Sequence, residues 1–333
     1  MTALASCQDS ANVSCELNIL VIQDDGTPVE NADVSVQYPI GIKVNPGGGF
    51  PTDRQQTSRA TTDADGKARI NFKTVSSPEG LVWIRKNGYY QSVFIDTDWK
   101  AEGMKSWSTD IQTTLKPIKN PVPMIARAES IFAIKEFDRE YQFDFEVGEL
   151  LPPHGKGVHP DIRVTMKGTR VENKPDEHED IDYQASIGFS NPLDGFIEFA
   201  VQPKDGAVGS SFISDYLAPV SGYLPSLERK VVWGKARSLP GYWEDFRAPE
   251  RKAYYFRVRT RTDASGKIVS AHYGKIYGPL TLIPILKNQA AFKKSLKAEL
   301  SISELYFNPT PNDRNVEFDV KRNLLPDGNV QRP

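Results

Sequence analysis

Apolar residues fall at every second position along much of the chain. Cys15, Leu17, Ile19 and Val21 alternate with Glu16, Asn18 and Leu20, and Ala32, Val34, Val36 and Tyr38 alternate with Asp33, Ser35 and Gln37. A period of two sends alternate side chains to opposite faces of a strand, so each set predicts a strand with one face in a core. Beyond residue 125 the same pattern predicts strands at 131–137, 141–151, 162–167, 181–189 and 195–201. In 141–147 the inward set is Tyr141, Phe143, Phe145 and Val147. Residues 252–276 read as a long hairpin turning at Asp263-Ala264-Ser265-Gly266, followed by strands at 279–286 and 302–307. In that hairpin Phe256 and Val258 face inward, and Arg257, Arg259 and Arg261 are expected as an exposed row, a face for acidic polymer or for neighbouring carboxylates. One helix is expected, at 288–300, where Phe292, Leu296 and Leu300 stand four apart.

Breakers divide these strands. Pro39, Gly41, Pro46, Gly47, Gly48, Gly49 and Pro51 predict a long loop over 39–58, the kind of segment that carries contact surfaces. Pro117, Pro121 and Pro123 predict an extended connector at 119–124. The chain is thereby divided into a leader or tether (1–13), a first domain (14–118), the connector, a second and larger domain (125–318) and an extended tail (319–333).

Three punctuated stretches stand out in the first domain. Asp24-Asp25-Gly26-Thr27-Pro28-Val29 leads into Ala32-Asp33-Val34; Thr61-Thr62-Asp63-Ala64-Asp65-Gly66 leads into Ile70; and Leu81-Val82-Trp83-Ile84 runs to Gly88-Tyr89. In this order they resemble the carboxypeptidase regulatory-like, or transthyretin-like, β-sandwich module. That resemblance implies an Ig-like sandwich and a mostly non-catalytic, accessory role. The fold class expected is all-β, an N-terminal transthyretin-like sandwich followed by a second β-sandwich.

The chain has 333 residues, enough for two cores, and 24 Pro with 24 Gly favour short strands joined by turns. Lys plus Arg (41) nearly balances Asp plus Glu (43), so no global field attracts nucleic acid or an anionic membrane. No apolar run reaches the 18 residues of a membrane-spanning helix. Leu4-Ala5-Ser6-Cys7 matches a bacterial lipobox, which makes Cys7 a candidate lipid anchor, although Met1–Ala3 alone stand in place of the usual apolar signal. Cys7 and Cys15 lack metal or redox spacing.

The familiar catalytic signatures and cofactor-binding loops do not occur, and no cofactor is expected. Asp63-Ala64-Asp65-Gly66 has oxygen ligands but lacks the distal glutamate of a calcium loop, and a strand-joining turn accounts for it. Asp176-Glu177-His178-Glu179-Asp180 reads as a solvated loop, and His154 and His159 flank glycines in another. The ligand-binding candidates are Trp233, Tyr242, Trp243, Glu244 and Asp245, because flat rings stack on sugar faces while carboxylates accept from hydroxyls. The expectation is a non-catalytic cell-surface or secreted structural or adhesive protein, with polysaccharide or other surface proteins as partners. A carbohydrate-binding accessory protein and a component of a phage tail or extracellular appendage are the alternatives.

Overall fold

A computed structural model of the chain describes residues 13–43, 52–74, 80–96, 106–136, 138–171, 180–200, 209–233, 252–284 and 298–333. The protein is all-β, as expected: the described residues form four sheets and contain no α-helix. Two units divide it. The first comprises Met1–Lys119 with Gln202–Ile213, and the second Asn120–Val201 with Ser214–Pro333.

In the first unit the alternating segments become β1 (Val13–Ile22), β2 (Asp33–Lys43), β3 (Thr52–Thr61), β4 (Lys67–Thr74), β5 (Gly80–Arg85), β6 (Ser92–Asp96) and β7 (Ser106–Thr114). One sheet has the order β4-β1-β7, with β7 parallel to β1, and the other is the antiparallel β3-β2-β5-β6. Their inner faces share one core: Leu17, Val21, Val34, Val36, Val82 and Ile84 are each at most 1% exposed. Burying each such side chain contributes about 1.5–3 kcal/mol.

Polar bonds tie the two sheets together along their margins. Thr74 donates to the Pro39 carbonyl (2.8 Å), and Ser92 and Thr113 share a 2.9 Å hydroxyl contact. The Asp63–Gly66 segment is a turn, with Gly66 at φ +74° and Asp63 Oδ1 accepting from the backbone of Asp65 and Lys67. Residues 209–213 add to the β6 edge. Ser210 bridges Ser92, the Ser211 amide donates to the Gln91 carbonyl, and the fully buried Phe212 packs on Tyr90 at 5.0 Å.

Within the expected loop over 39–58 the described residues are strand, because β2 runs to Lys43 and β3 begins at Thr52, and residues 44–51 lie outside the described residues. Beyond Gln37, among the described residues, β2 pairs with β3 alone, and the register shifts between Pro39 and Gly41. A proline is tolerated at such a margin, where a missing N–H breaks no central ladder.

The second unit contains β8 (Ile125–Arg127), β9 (Ser130–Ile134), β10 (Glu140–Asp144), β11 (Glu149–Leu150), β12 (Ile162–Val171), β13 (Asp180–Gly188), β14 (Gly195–Ala200), β15 (Ser226–Trp233), β16 (Lys252–Thr262), β17 (Ile268–Pro284) and β18 (Ala298–Asn308). A sheet β11-β10-β12-β13-β15 faces a sheet β14-β16-β17-β18-β8, with β9 also paired to β18. Phe145 stacks on Phe256 at 4.4 Å within their shared core.

The outer face of the second sheet is covered too. Ala218, Tyr255, Ala271, Tyr273 and Val316 form a further apolar layer, so residues 253–258 are buried on both faces. Beneath that layer the fully buried Lys275 donates to Tyr277 Oη (2.7 Å), Ser214 Oγ (3.3 Å) and the Pro333 carbonyl (3.1 Å). Residues 319–333, expected as an extended tail, bond back to this unit: Asn323 pairs with both backbone groups of Ala126, and Val330 is buried.

Three further expectations change. The strand at 141–151 is a hairpin, because Asp144 turns the chain by accepting from the amides of Glu146 and Val147. Residues 298–300, assigned to a helix, begin β18, and the rest of that helix lies outside the described residues. A spacing of four is also a multiple of two, so it does not separate helix from strand. The arginine row is not a row: Arg257 is 7% exposed and bonds to the carbonyls of Leu193 and Val220, while a bulge between Val258 and Arg261 turns Arg259 at φ +57°.

Candidate functional site on an outer sheet face

Val82 and Ile84 point into the first core, so the alternation of β5 forces Trp83 and Arg85 outward. The register then sets the neighbours. Arg59, Ser35, Trp83 and Val93 form one row across β3, β2, β5 and β6, and Thr61, Asp33 and Arg85 form the next. Trp83 is half-buried in the middle of this face, whereas Arg59, Arg85, Asp33 and Thr61 are exposed.

Two adjoining depressions lie here. One of about 400 Å³ is lined by Asp33, Ser35, Arg59, Thr61 and Arg85. The other, about 300 Å³, shares Asp33 and Arg85 and adds Lys86, Asn87, Tyr89 and Gln91. The Arg85 guanidinium stands 5.9 Å from the Trp83 ring centre and is steadied by Nε donation to Gln91 Oε1 at 2.7 Å. Lys86 donates to the Glu30 carbonyl (2.6 Å) and lies 5.2 Å from the Tyr89 ring. Arg59 makes no hydrogen bond or ion pair among the described residues. The face thus combines a half-buried ring with exposed forked donors and one exposed carboxylate.

A depression of about 510 Å³ on the outer face of β4-β1-β7 is different in kind. Three of its polar side chains are tied together, with Asn18 bonded to Asp110 (3.0 Å) and Arg69 to Asn18 (3.1 Å) and Glu16 (3.2 Å). No ring lines it.

The densest charge cluster, in the second unit, is internal. Arg259 bonds Asp144 (3.0 Å), Asp161 (2.8 and 2.9 Å) and Glu146, and its backbone amide donates to Asp194 (2.9 Å). Burial pushes Asp161 and Asp194 above the usual carboxylate range, against the hydrogen bonds they accept. Burial also works on Asp144, but amide donation from His159, Val158 and Val147, with the charge of Arg259, holds it low. Burial lowers His272, which stacks on Phe307 at 5.4 Å. These groups are spent on each other and hold residues 144–161 against β16.

Of the residues singled out from sequence, Trp233 ends β15 with its backbone paired to Ile181, and its side chain lies outside the described residues. Cys7, Tyr242, Trp243, Glu244, Asp245 and the 176–179 acidic run also lie outside them. His154 packs on the Tyr141 ring at 4.6 Å, and His159 contributes its amide to Asp144. The outward position of Trp83 is readable from Val82 and Ile84, which alternation turns inward, although no site is assigned to this strand from the sequence. Among the described residues no group of three or more His, Cys, Asp or Glu is placed to hold a metal, and no helix is long and apolar enough to cross a membrane.

No protein-family model matches the chain, and no curated protein matches it either. Among solved structures, 3-chlorocatechol 1,2-dioxygenase of Rhodococcus opacus 1CP aligns at 12% identity over 33% of this chain, with a TM-score of 0.24. The alignment spans 62% of the dioxygenase. A Bacteroides uniformis ATCC 8492 protein provisionally described as carbohydrate binding aligns at 11% identity over 89% of this chain and 99% of its own, with a TM-score of 0.19. A Bacteroides fragilis NCTC 9343 protein of unknown function, provisionally described as membrane-associated, aligns at 8% identity over 90% and 99%, with a TM-score of 0.17. None of these scores is at the level of a shared fold.

Proposed function

We propose that this is a non-catalytic surface or secreted protein that adheres to carbohydrate through the outer face of β3-β2-β5-β6. The observation that carries the reading is Trp83, a large ring turned outward in the middle of a sheet face and surrounded by Ser35, Arg59, Asp33 and Arg85. A ring stacks on the apolar face of a sugar, and the side chains around it bond the hydroxyls at the sugar edge. The transthyretin-like resemblance of residues 14–118 supports an accessory role, and the Cys7 lipobox supports anchorage at a cell surface.

Affinity electrophoresis through gels containing a panel of polysaccharides tests the reading. The chain should be retarded by at least one polymer, and Trp83→Ala should weaken that retardation. Losing a stacked ring that contributes about 1.5–3 kcal/mol raises Kd roughly 10- to 100-fold. Retardation identical in the wild type and the variant would refute it.

A further inference from the structure

We infer that the Trp83 face selects acidic polysaccharide, its carboxylate or sulfate groups being held by Arg59 and Arg85. The inference rests on the carbohydrate reading and adds a ligand class to it. Three cations, Arg59, Arg85 and Lys86, line the two depressions against a single carboxylate, Asp33. The whole chain carries a formal net charge of -2, so this positive excess is local.

The arrangement keeps the charge available. Arg59 makes no hydrogen bond or ion pair among the described residues. Arg85 commits Nε to Gln91 and lies over Trp83, which leaves its two terminal nitrogens unbonded among the described residues. A guanidinium fork matches a planar carboxylate or a sulfate oxygen pair. Arg59 and Arg85 stand two strands and two residues apart in register. Strand geometry makes that about 12 Å between Cα atoms, a span for two acidic groups on one polymer. Trp83 stands in the row of Arg59, two strands away, and two residues from Arg85 on the same strand, so a chain lying along that row would stack one sugar on the ring while its acidic groups reach the two forks. Asp33, between the cations, would accept from a hydroxyl and disfavour a second acidic group at that point.

The test uses the full chain in affinity electrophoresis with polygalacturonate, dextran sulfate and neutral dextran, on the wild type, R59Q/R85Q and Trp83→Ala. The wild type should be retarded by an acidic polymer and far less by dextran. R59Q/R85Q should weaken acidic binding at least about tenfold, and added salt should weaken it as well, because exposed charges are screened within about 10 Å at 0.1 M. Retardation by polygalacturonate identifies carboxylate as the bound group, and by dextran sulfate alone identifies sulfate; either supports the inference. Equal retardation by dextran, lost in Trp83→Ala and kept in R59Q/R85Q, overturns acidic selection and leaves the carbohydrate reading standing. Acidic binding that survives Trp83→Ala intact shows bare charge attraction and overturns the inference. No retardation by any polymer overturns both.

Discussion

Removing the Arg259 guanidinium should destabilise the second unit severely, and Asp161 is the reason. The Arg259 side chain is 18% exposed, while the side chains of Asp144 and Asp161 are 0% and 1% exposed. In Arg259→Met, Asp144 would keep four amide donors, from Glu146, Val147, Val158 and His159. Asp161 would keep one, from Phe145. Breaking a buried pair by deleting one partner costs about 3–5 kcal/mol, because the remaining charge is left without compensation. Asp161 already sits above its ordinary range through burial, and losing Arg259 would raise it further. An acid whose folded pKa exceeds its unfolded value destabilises when ionised, so the variant should regain stability as pH falls from neutral through that raised value.

Urea unfolding followed by hydrogen exchange in β12 and β16 reads this unit by itself. Arg259→Met should lose about 3–5 kcal/mol at neutral pH. Adding Asp161→Asn removes the orphaned charge, so the double variant should recover roughly 1–3 kcal/mol relative to additivity. A loss below about 1 kcal/mol, or strict additivity, would refute the claim that this cluster is a buried and mutually dependent set.

Other predictions follow from particular residues. Phe212→Ala should cost about 3–5 kcal/mol, and hydrogen exchange should place the loss in the first unit, at β6, although Phe212 lies far along the chain from that strand. Burial pushes the Cys15 thiol from 9.0 up to about 11. In a Cys7→Ser background Cys15 should therefore resist thiol reagents at pH 8 until the protein unfolds. The unfolded thiol ionises first, so stability should fall between pH 9.0 and about 11, by roughly 1.4 kcal/mol per pH unit and about 2–3 kcal/mol in all. A pH-independent stability over that window would show that Cys15 is not buried as described.

The parts of the fold legible in the sequence are those governed by local rules. Ala32, Val34, Val36 and Tyr38, assigned to a core by alternation, are each at most 3% exposed. The Asp-x-x-Gly turns at 63–66 and 263–266 form with glycine φ of +74° and +82° and the aspartate accepting two amides in each. Long-range partners were not legible. Arg259 meets Asp144 and Asp161 from 115 and 98 residues away, through a bulge that alternation cannot foresee. The same applies to the layer over β16 and β17, to which Ala218, Tyr223 and Val316 contribute from distant segments. Trp83 was within reach of local reasoning, since a strand with Val82 and Ile84 inward has no place for its ring but outside.

The most direct test of the central claim is an NMR titration of the isotopically labelled chain with short oligogalacturonates, chosen as soluble fragments of an acidic polymer. The Trp83 indole Nε1–H, the Arg59 and Arg85 side chains and the amides of Ser35 and Asp33 should shift together and saturate at one affinity. Saturable shifts confined elsewhere, for instance to residues 240–246, with Trp83 unmoved, would contradict it.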